Sequence, residues 1–138
     1  MSLFSTVNGI NKLTGKDVFV YAFNINTNEQ LLLAYSDSID ITYCEQGGDS
    51  MLDYKLEQGR INLDVFFVMQ RQYDLAGYRP TKTHQFFINF VADKNEESRK
   101  MQLTGCRPAS KIPVFLVFAQ STVYTEWTGT AKEIIEVE

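Results

Sequence analysis

Apolar and polar residues alternate along much of this chain with a period of two. The clearest run spans residues 61–70, where every second position is apolar: Ile61, Leu63, Val65, Phe67 and Met69. Successive side chains of a β-strand point to opposite faces of a sheet, so this run predicts a strand with one apolar face. The same alternation recurs in residues 39–44, 84–91, 123–127 and 135–138. The period therefore predicts a protein built mainly from β-strands.

Polar segments mark where these strands end. Residues 24–29 (NINTNE) separate the apolar runs 17–23 and 31–35 and are typical of a hairpin turn. Residues 93–100 (DKNEESRK) are too polar for a core and predict a loop between two antiparallel strands. Gly129 interrupts the alternation near the C-terminus and predicts the end of that strand.

One short helix is predicted, in residues 70–78 (QRQYDLAGY), where Gly77 and the following Pro80 would end it. Short strands at fairly even spacing are typical of antiparallel folds. We therefore predict a mainly β fold: an antiparallel β-barrel or sandwich of about eight strands with one short helix and a long β-arm loop. No repeat or change of composition divides the chain, so residues 1–138 are predicted to form a single domain.

The predicted long loop spans residues 44–59 (CEQGGDSMLDYKLEQG) and is acidic and punctuated by glycine. Most connections between strands are only a few residues long, and longer ones are usually functional or disordered. Four apolar residues argue against disorder in this segment: Met51, Leu52, Tyr54 and Leu56. We expect an arm that buries these side chains on another molecule.

The composition is that of an ordinary folded domain. Of its residues 44% are hydrophobic and 22% charged, which excludes wholesale disorder, and an aromatic content of 13% favours β-structure. The net charge of −4 disfavours nucleic-acid binders, since gripping a phosphate backbone requires a basic surface.

Targeting and redox signals are few. Residues 1–10 have neither a basic nor an apolar region typical of a signal peptide, and the longest apolar runs are too short to span a bilayer. Cys44 and Cys106 lie outside any C-x-x-C pair, so both are expected to be reduced, partly buried thiols. We expect synthesis in a reducing cytosol, without a metal or a disulfide.

The residues that could support catalysis form no recognisable pattern. His84 is the single histidine, and no nucleophile turn, metal-ligand spacing or phosphate-binding glycine motif accompanies it, so a structural role is expected. Four acidic residues recur at every fourth position of the predicted arm: Glu45, Asp49, Asp53 and Glu57. We interpret them as a solvated interaction surface rather than a catalytic carboxylate pair.

The order of these features resembles that of a known family. Asn8-Gly9 leads into residues 15–18 (GKDV) and a hairpin, and residues 59–63 (GRINL) open the strand after the long loop. The chain ends in alternating acids over residues 132–138 (KEIIEVE). In this order the chain resembles the tail tube proteins of contractile bacteriophages and phage-tail-like particles, whose fold is shared with the haemolysin-coregulated proteins of type VI secretion.

The resemblance implies a structural, non-enzymatic subunit of the virion tail, assembled in the host cytoplasm without cofactors. Six copies would form a ring, and stacked rings would form a tube for the passage of DNA or effectors. Partners would be copies of the chain itself, the tail sheath and tape-measure proteins, and DNA only as passing cargo, with no membrane. The long loop would reach the neighbouring ring, which predicts an inter-ring interface at Met51, Leu52, Asp53, Tyr54 and Leu56.

Three other functions remain open at this point. The chain could be a baseplate tube initiator or a tail terminator of the same fold. It could be a monomeric β-barrel in which the aromatic residues line a cavity for a small ligand. It could also be a small hydrolase that uses His84 with an acidic residue or a cysteine.

Overall fold

Nine antiparallel β-strands make up most of the part of the chain that the computed structural model describes, which is residues 5–7, 10–46, 49–62, 82–94, 96–108 and 123–137. The strands are β1 (Ser5–Val7), β2 (Ile10–Asn24), β3 (Gln30–Gln46), β4 (Asp49–Ile61), β5 (His84–Lys94), β6 (Glu97–Thr104), β7 (Arg107–Pro108), β8 (Val123–Ala131) and β9 (Glu133–Glu136). The predicted mainly β, antiparallel class is confirmed. The predicted helix at 70–78 and most of the predicted strand at 61–70 lie outside the described residues.

The strands form one curled sheet in the order β7-β8-β4-β3-β2-β5-β6-β9, with β1 paired to β2. Apolar side chains on the inner face of this sheet form the core. The largest fully buried ones are Phe90, Leu33, Ile39, Ile41, Leu56, Ile88, Leu103 and Val18. Because branched and aromatic side chains fill the inside of the curled sheet, its interior is a packed core.

Two bends in the chain bring together the strands at the two ends of this order. β6 continues into β7 after Gly105 and Cys106, and β8 continues into β9 after Lys132. The register is the same on both sides of the bends, with the pairs Met101–Glu136, Thr104–Glu133, Arg107–Thr130 and Pro108–Gly129. The Lys132 amide donates to the Thr104 carbonyl at 3.0 Å, within this ladder. One bent strand pair therefore joins the two margins of the sheet into a barrel-like wall.

Gly105 makes the first of these bends possible. Its φ of +64° lies in the left-handed region, which residues with a Cβ rarely adopt. A Cβ at this position would also meet the side chain of Lys132, at 2.8 Å from Cγ. The bend thus depends on a residue without a side chain.

The predicted long loop at 44–59 is wrong, because these residues form a hairpin of β3 and β4. Gln46 pairs with Asp49, and the pairing continues to Ser38 opposite Glu57. β3 ends at Gln46, and β4 begins at Asp49. A Gly-Gly pair between two alternating runs is itself a hairpin signal, and the alternation of Leu52, Tyr54 and Leu56 with charged residues was already present in the sequence.

Most of the segment 93–100 is strand, so the predicted loop there is wrong. The two strands that it joins are antiparallel, as predicted. Lys94 pairs with Glu97, so β5 and β6 extend almost to the turn. The Ser98 hydroxyl donates to the Asp93 carboxylate at 2.6 Å, and Lys16 makes an ion pair with the same carboxylate at 2.9 Å. Polar side chains here are exposed on a hairpin end, which needs no apolar face.

The alternation in the sequence predicts that the strand ends at Gly129, and this prediction is wrong. Gly129 lies within β8, opposite Tyr54 in β4. A Cβ at Gly129 would overlap the Tyr54 hydroxyl and the Arg107 carbonyl. The glycine therefore provides the space for a buried tyrosine ring, and the strand ends two residues later.

Candidate interaction surfaces

The five residues of the predicted inter-ring interface all lie on β4, but on opposite faces of the sheet. Leu52, Tyr54 and Leu56 are 4%, 3% and 0% exposed and belong to the core. The expectation that these three are buried on another molecule is wrong, because the protein's own core covers them. Met51 is 40% exposed and Asp53 is exposed, so these two can meet a partner. A contact with a second ring stays a prediction, carried on this strand by Met51 and Asp53.

Tyr54 shows how tightly this hairpin is tied to the barrel. Its ring lies opposite Gly129 of β8, where an added Cβ would overlap the hydroxyl. Burial raises the pKa of Tyr54 far above its usual value, since the charged phenolate would be desolvated. The hydroxyl therefore stays protonated and serves the packing of β4 against β8.

The outer face of β2, β3, β4 and β8 combines charged side chains with threonines. Two neighbouring cross-strand rows run Lys12–Thr42–Asp53–Thr130 and Thr14–Asp40–Lys55–Thr128. Members of both rows line a shallow groove of about 530 Å³. Asp40 pairs directly with Lys55, and Asp53 lies two positions before Lys55 on the same face of β4. We call this surface the charged face; its acidic and basic side chains alternate.

The β2–β3 turn carries an exposed apolar residue that sequence reasoning missed. The Asn24 side-chain oxygen accepts hydrogen bonds from the amides of Asn26 and Thr27, at 2.9 and 3.2 Å. The Ile25 amide donates to the Thr83 carbonyl at 2.9 Å, and the Ile25 side chain is 45% exposed. The predicted turn at 24–29 is confirmed, and a lone isoleucine in the polar sequence NINTNE was the signal for its exposed apolar residue.

Ile25 and Met51 lie at opposite ends of the barrel. Ile25 directly follows β2, and Met51 lies just after the turn at the other end of β3. β3 has 17 residues, and at about 3.3 Å per residue its two ends are roughly 50 Å apart along the strand. The two ends of the molecule therefore each present an exposed apolar side chain.

His84 is buried at the base of the same turn. Only 2% of it is exposed, and burial lowers its pKa, with the Glu29 carboxylate acting in the opposite direction. The Asn24 amide nitrogen lies 3.5 Å from Nε2, and the Thr83 hydroxyl lies 3.1 Å from Nδ1. Both ring nitrogens thus lie near polar side chains of this turn, which hold the buried ring in place.

Cys106 is a buried, reduced thiol, as expected. It is 1% exposed, and its Sγ donates to the Leu103 carbonyl at 3.5 Å. Burial raises the pKa of Cys106 to about 12, so the nucleophilic thiolate is scarce at neutral pH. The side chain of Cys44 lies outside the described part of the structure.

In the part of the chain that the structure describes, no three His, Cys, Asp or Glu side chains converge to hold a metal ion. The same residues include no helix with the length and apolarity that crossing a bilayer requires. No protein-family model, curated protein or solved structure matches this chain.

Proposed function

We propose that this chain is a structural subunit that assembles with copies of itself into the tube of a phage tail or a phage-tail-like particle. In this role the copies form hexameric rings, the rings stack, and the tube conducts DNA or effectors. The tail sheath and the tape-measure protein would be its other partners. The proposal extends the resemblance of the sequence, and the mainly β, barrel-like fold is compatible with it.

The observation that carries the proposal is the pair of exposed apolar side chains at opposite ends, Ile25 and Met51. A contact between one end of a molecule and the other end of the next copy is heterologous, and a heterologous contact that does not close propagates into an open assembly. The turn that presents Ile25 is fixed by its own hydrogen bonds. A rigid anchor loses little conformational entropy on binding, which favours association.

Two further features support a tubular assembly. Among the described strands, β9 (Glu133–Glu136) has a neighbouring strand on one side only, so it can accept a strand from an adjacent copy. The charged face carries interspersed acidic and basic groups. Such a surface gives a passing polyanion no continuous basic stripe to bind, which suits the wall of a conduit.

The alternative functions fit these observations less well. A small-ligand barrel needs an internal cavity, whereas large apolar side chains of the described strands pack on the inner face of the sheet here. A hydrolase that uses His84 needs that imidazole at the surface, whereas the ring is buried and hydrogen-bonded within a turn. A baseplate initiator or tail terminator would use the same fold with a single stacking end.

Negative-stain electron microscopy and sedimentation velocity of the purified protein test the proposal. We expect rings and stacked tubes from the wild-type chain. Ile25→Asp and Met51→Asp should each abolish stacking, because a carboxylate would be desolvated in the contact. Thr14→Asp, a new carboxylate on the charged face, is the matched control and should leave stacking intact.

The outcomes separate the candidate roles. A protein that stays monomeric at high concentration would refute self-assembly. Rings that never stack would favour the initiator or terminator. Tubes that persist in both Ile25→Asp and Met51→Asp would show that stacking does not use these ends.

A further inference from the structure

The outer surface of the barrel has a second side that differs from the charged face. Near the β2–β3 turn the outward side chains of β2, β3, β5 and β6 are aromatic or carry amides, and the next row beyond them is Lys16–Val91–Lys100. One cross-strand row is Gln30–Phe23–Gln85, the next pairs Tyr21 with Phe87, and a third is Phe19–Asn89–Gln102. We call these eight residues the aromatic–amide face.

Aromatic rings form the middle of this face. Tyr21 and Phe87 are stacked, with ring centroids 5.2 Å apart and planes at 20°. Phe19, two positions before Tyr21 on β2, is 40% exposed, and Phe23, two positions after it, is partly exposed. Alternate residues of a strand are about 7 Å apart, so the three rings of β2 follow one another along one line. The result is a line of three partly exposed rings along β2.

Amide groups border the rings. Gln30 and Gln85 are both exposed and lie on either side of Phe23, at the spacing of neighbouring strands, about 5 Å. Further along, the Gln102 amide nitrogen donates to the Asn89 side-chain oxygen at 2.9 Å, which fixes the orientation of both amides. An open pocket of about 290 Å³ lies here, lined by residues that include Phe23, Gln30, Gln85 and Gln102, and none of its lining residues is charged.

From this arrangement we propose that the aromatic–amide face binds a neutral saccharide. A pyranose ring has a flat C–H face that packs on an aromatic ring, and its equatorial hydroxyl groups project from its edges. On Phe23 those edges would reach Gln30 and Gln85, each of which offers both a donor and an acceptor, as a hydroxyl requires. No charged residue lines the pocket beside Phe23, which disfavours acidic sugars and phosphates there, since these need Lys or Arg. The line of three rings along β2 suits a short linear oligosaccharide.

This inference does not rest on the proposed tube function. The row Gln30–Phe23–Gln85 adjoins the turn that carries Ile25, so binding is tested on the wild-type chain and also on Met51→Asp, in which stacking is blocked at the opposite end. If the tube proposal fails while saccharide binding persists in both proteins, only the function of the ends is refuted. If neither protein binds, only the present inference is refuted.

Saturation-transfer difference NMR and isothermal titration calorimetry on the full chain provide the test. The probes are the neutral trisaccharides cellotriose, maltotriose and triacetylchitotriose, each at about 5 mM to detect weak binding. A sulfated chondroitin disaccharide and a blocked tetra-alanine peptide are the comparison ligands. We expect transfer to at least one neutral trisaccharide, strongest at its ring C–H protons, and none to the comparison ligands.

Variants then locate the site. Gln85→Ala and Gln30→Ala remove exposed amides and should weaken binding by about threefold to tenfold each, the range for one lost hydrogen bond. Phe23→Ala should weaken binding more than either glutamine variant does. If Phe23→Ala fails to fold, the two glutamine variants still decide the test. Lys55→Ala on the charged face is the matched control and should bind normally. No transfer to any trisaccharide, unchanged affinity in the glutamine variants, or binding of the peptide alone would each overturn the inference.

Discussion

The central structural prediction concerns the two faces of β4. Leu56 points into the core and is fully buried, whereas Met51 on the same strand is 40% exposed. Truncating each to alanine removes a similar amount of side chain from one hairpin. Leu56→Ala should therefore destabilise the fold strongly, and Met51→Ala should have little effect.

The expected magnitudes follow from burial. A buried leucine replaced by alanine loses its transfer free energy and leaves a cavity, which costs about 2 to 5 kcal/mol. A largely exposed methionine loses about 1 kcal/mol or less. Domains of this size have a total stability of about 5 to 15 kcal/mol, and each kcal/mol shifts the melting midpoint by about 4 °C. The midpoint should fall by about 8 to 20 °C in Leu56→Ala and by about 4 °C or less in Met51→Ala.

Urea denaturation followed by tryptophan fluorescence is the assay. Trp127 is the single tryptophan, is 2% exposed and pairs directly with Leu56 across β4 and β8. Far-ultraviolet circular dichroism provides a second probe that does not depend on this neighbour. Because self-association stabilises the folded state, each curve is measured at two protein concentrations.

A small and equal cost for both variants would refute the reasoning. It would mean that the hairpin of β3 and β4 is separate from the core. That result would return Leu52, Tyr54 and Leu56 to the predicted inter-ring interface.

Three further predictions concern single residues. Gly129→Ala should destabilise the fold by more than about 1 kcal/mol, measured in urea, because the new Cβ meets the Tyr54 hydroxyl; a neutral or stabilising effect would contradict the packing described for β8. The pKa of His84 is lower in the folded chain than the 6.5 of an unfolded one, so its contribution to stability is complete above pH 6.5 and is lost as the pH falls below that value. The slope of the unfolding free energy against pH should therefore flatten in His84→Gln. An unchanged slope would exclude this histidine as the source of the pH dependence. Cys106, with its pKa raised to about 12, should react with a thiol reagent only after denaturation, and rapid reaction in the native protein would show that the thiol is accessible.

The hairpin of β3 and β4 shows where local sequence reasoning failed although the signal was present. Leu52, Tyr54 and Leu56 alternate with Asp53, Lys55 and Glu57, which is the pattern of a half-buried strand. The density of acids and the two glycines suggested a loop instead. A strand with a charged outer row is stable only when its inner row meets a core, and that core is made by residues distant in sequence.

Other features could not be read from the sequence at all. The closure of the sheet depends on pairs such as Arg107 with Thr130. These two residues lie far apart along the chain, and the local sequence around them does not indicate that they pair. The role of Gly129 depends on a tyrosine about 75 positions earlier in the chain. Neither the exposure of Ile25 and Met51 nor the aromatic–amide face has a local signature beyond apolar residues in strands and turns.

The sequence by itself determined the class of this protein. A period of two specifies strands, and a polar segment with asparagines specifies the turn at 24–29, because both are properties of a few consecutive residues. Only the tertiary structure decided the register, the closure of the barrel and which apolar side chains remain at the surface. Those depend on which strands become neighbours, and the free energy that selects the neighbours comes from burying side chains that lie far apart along the chain.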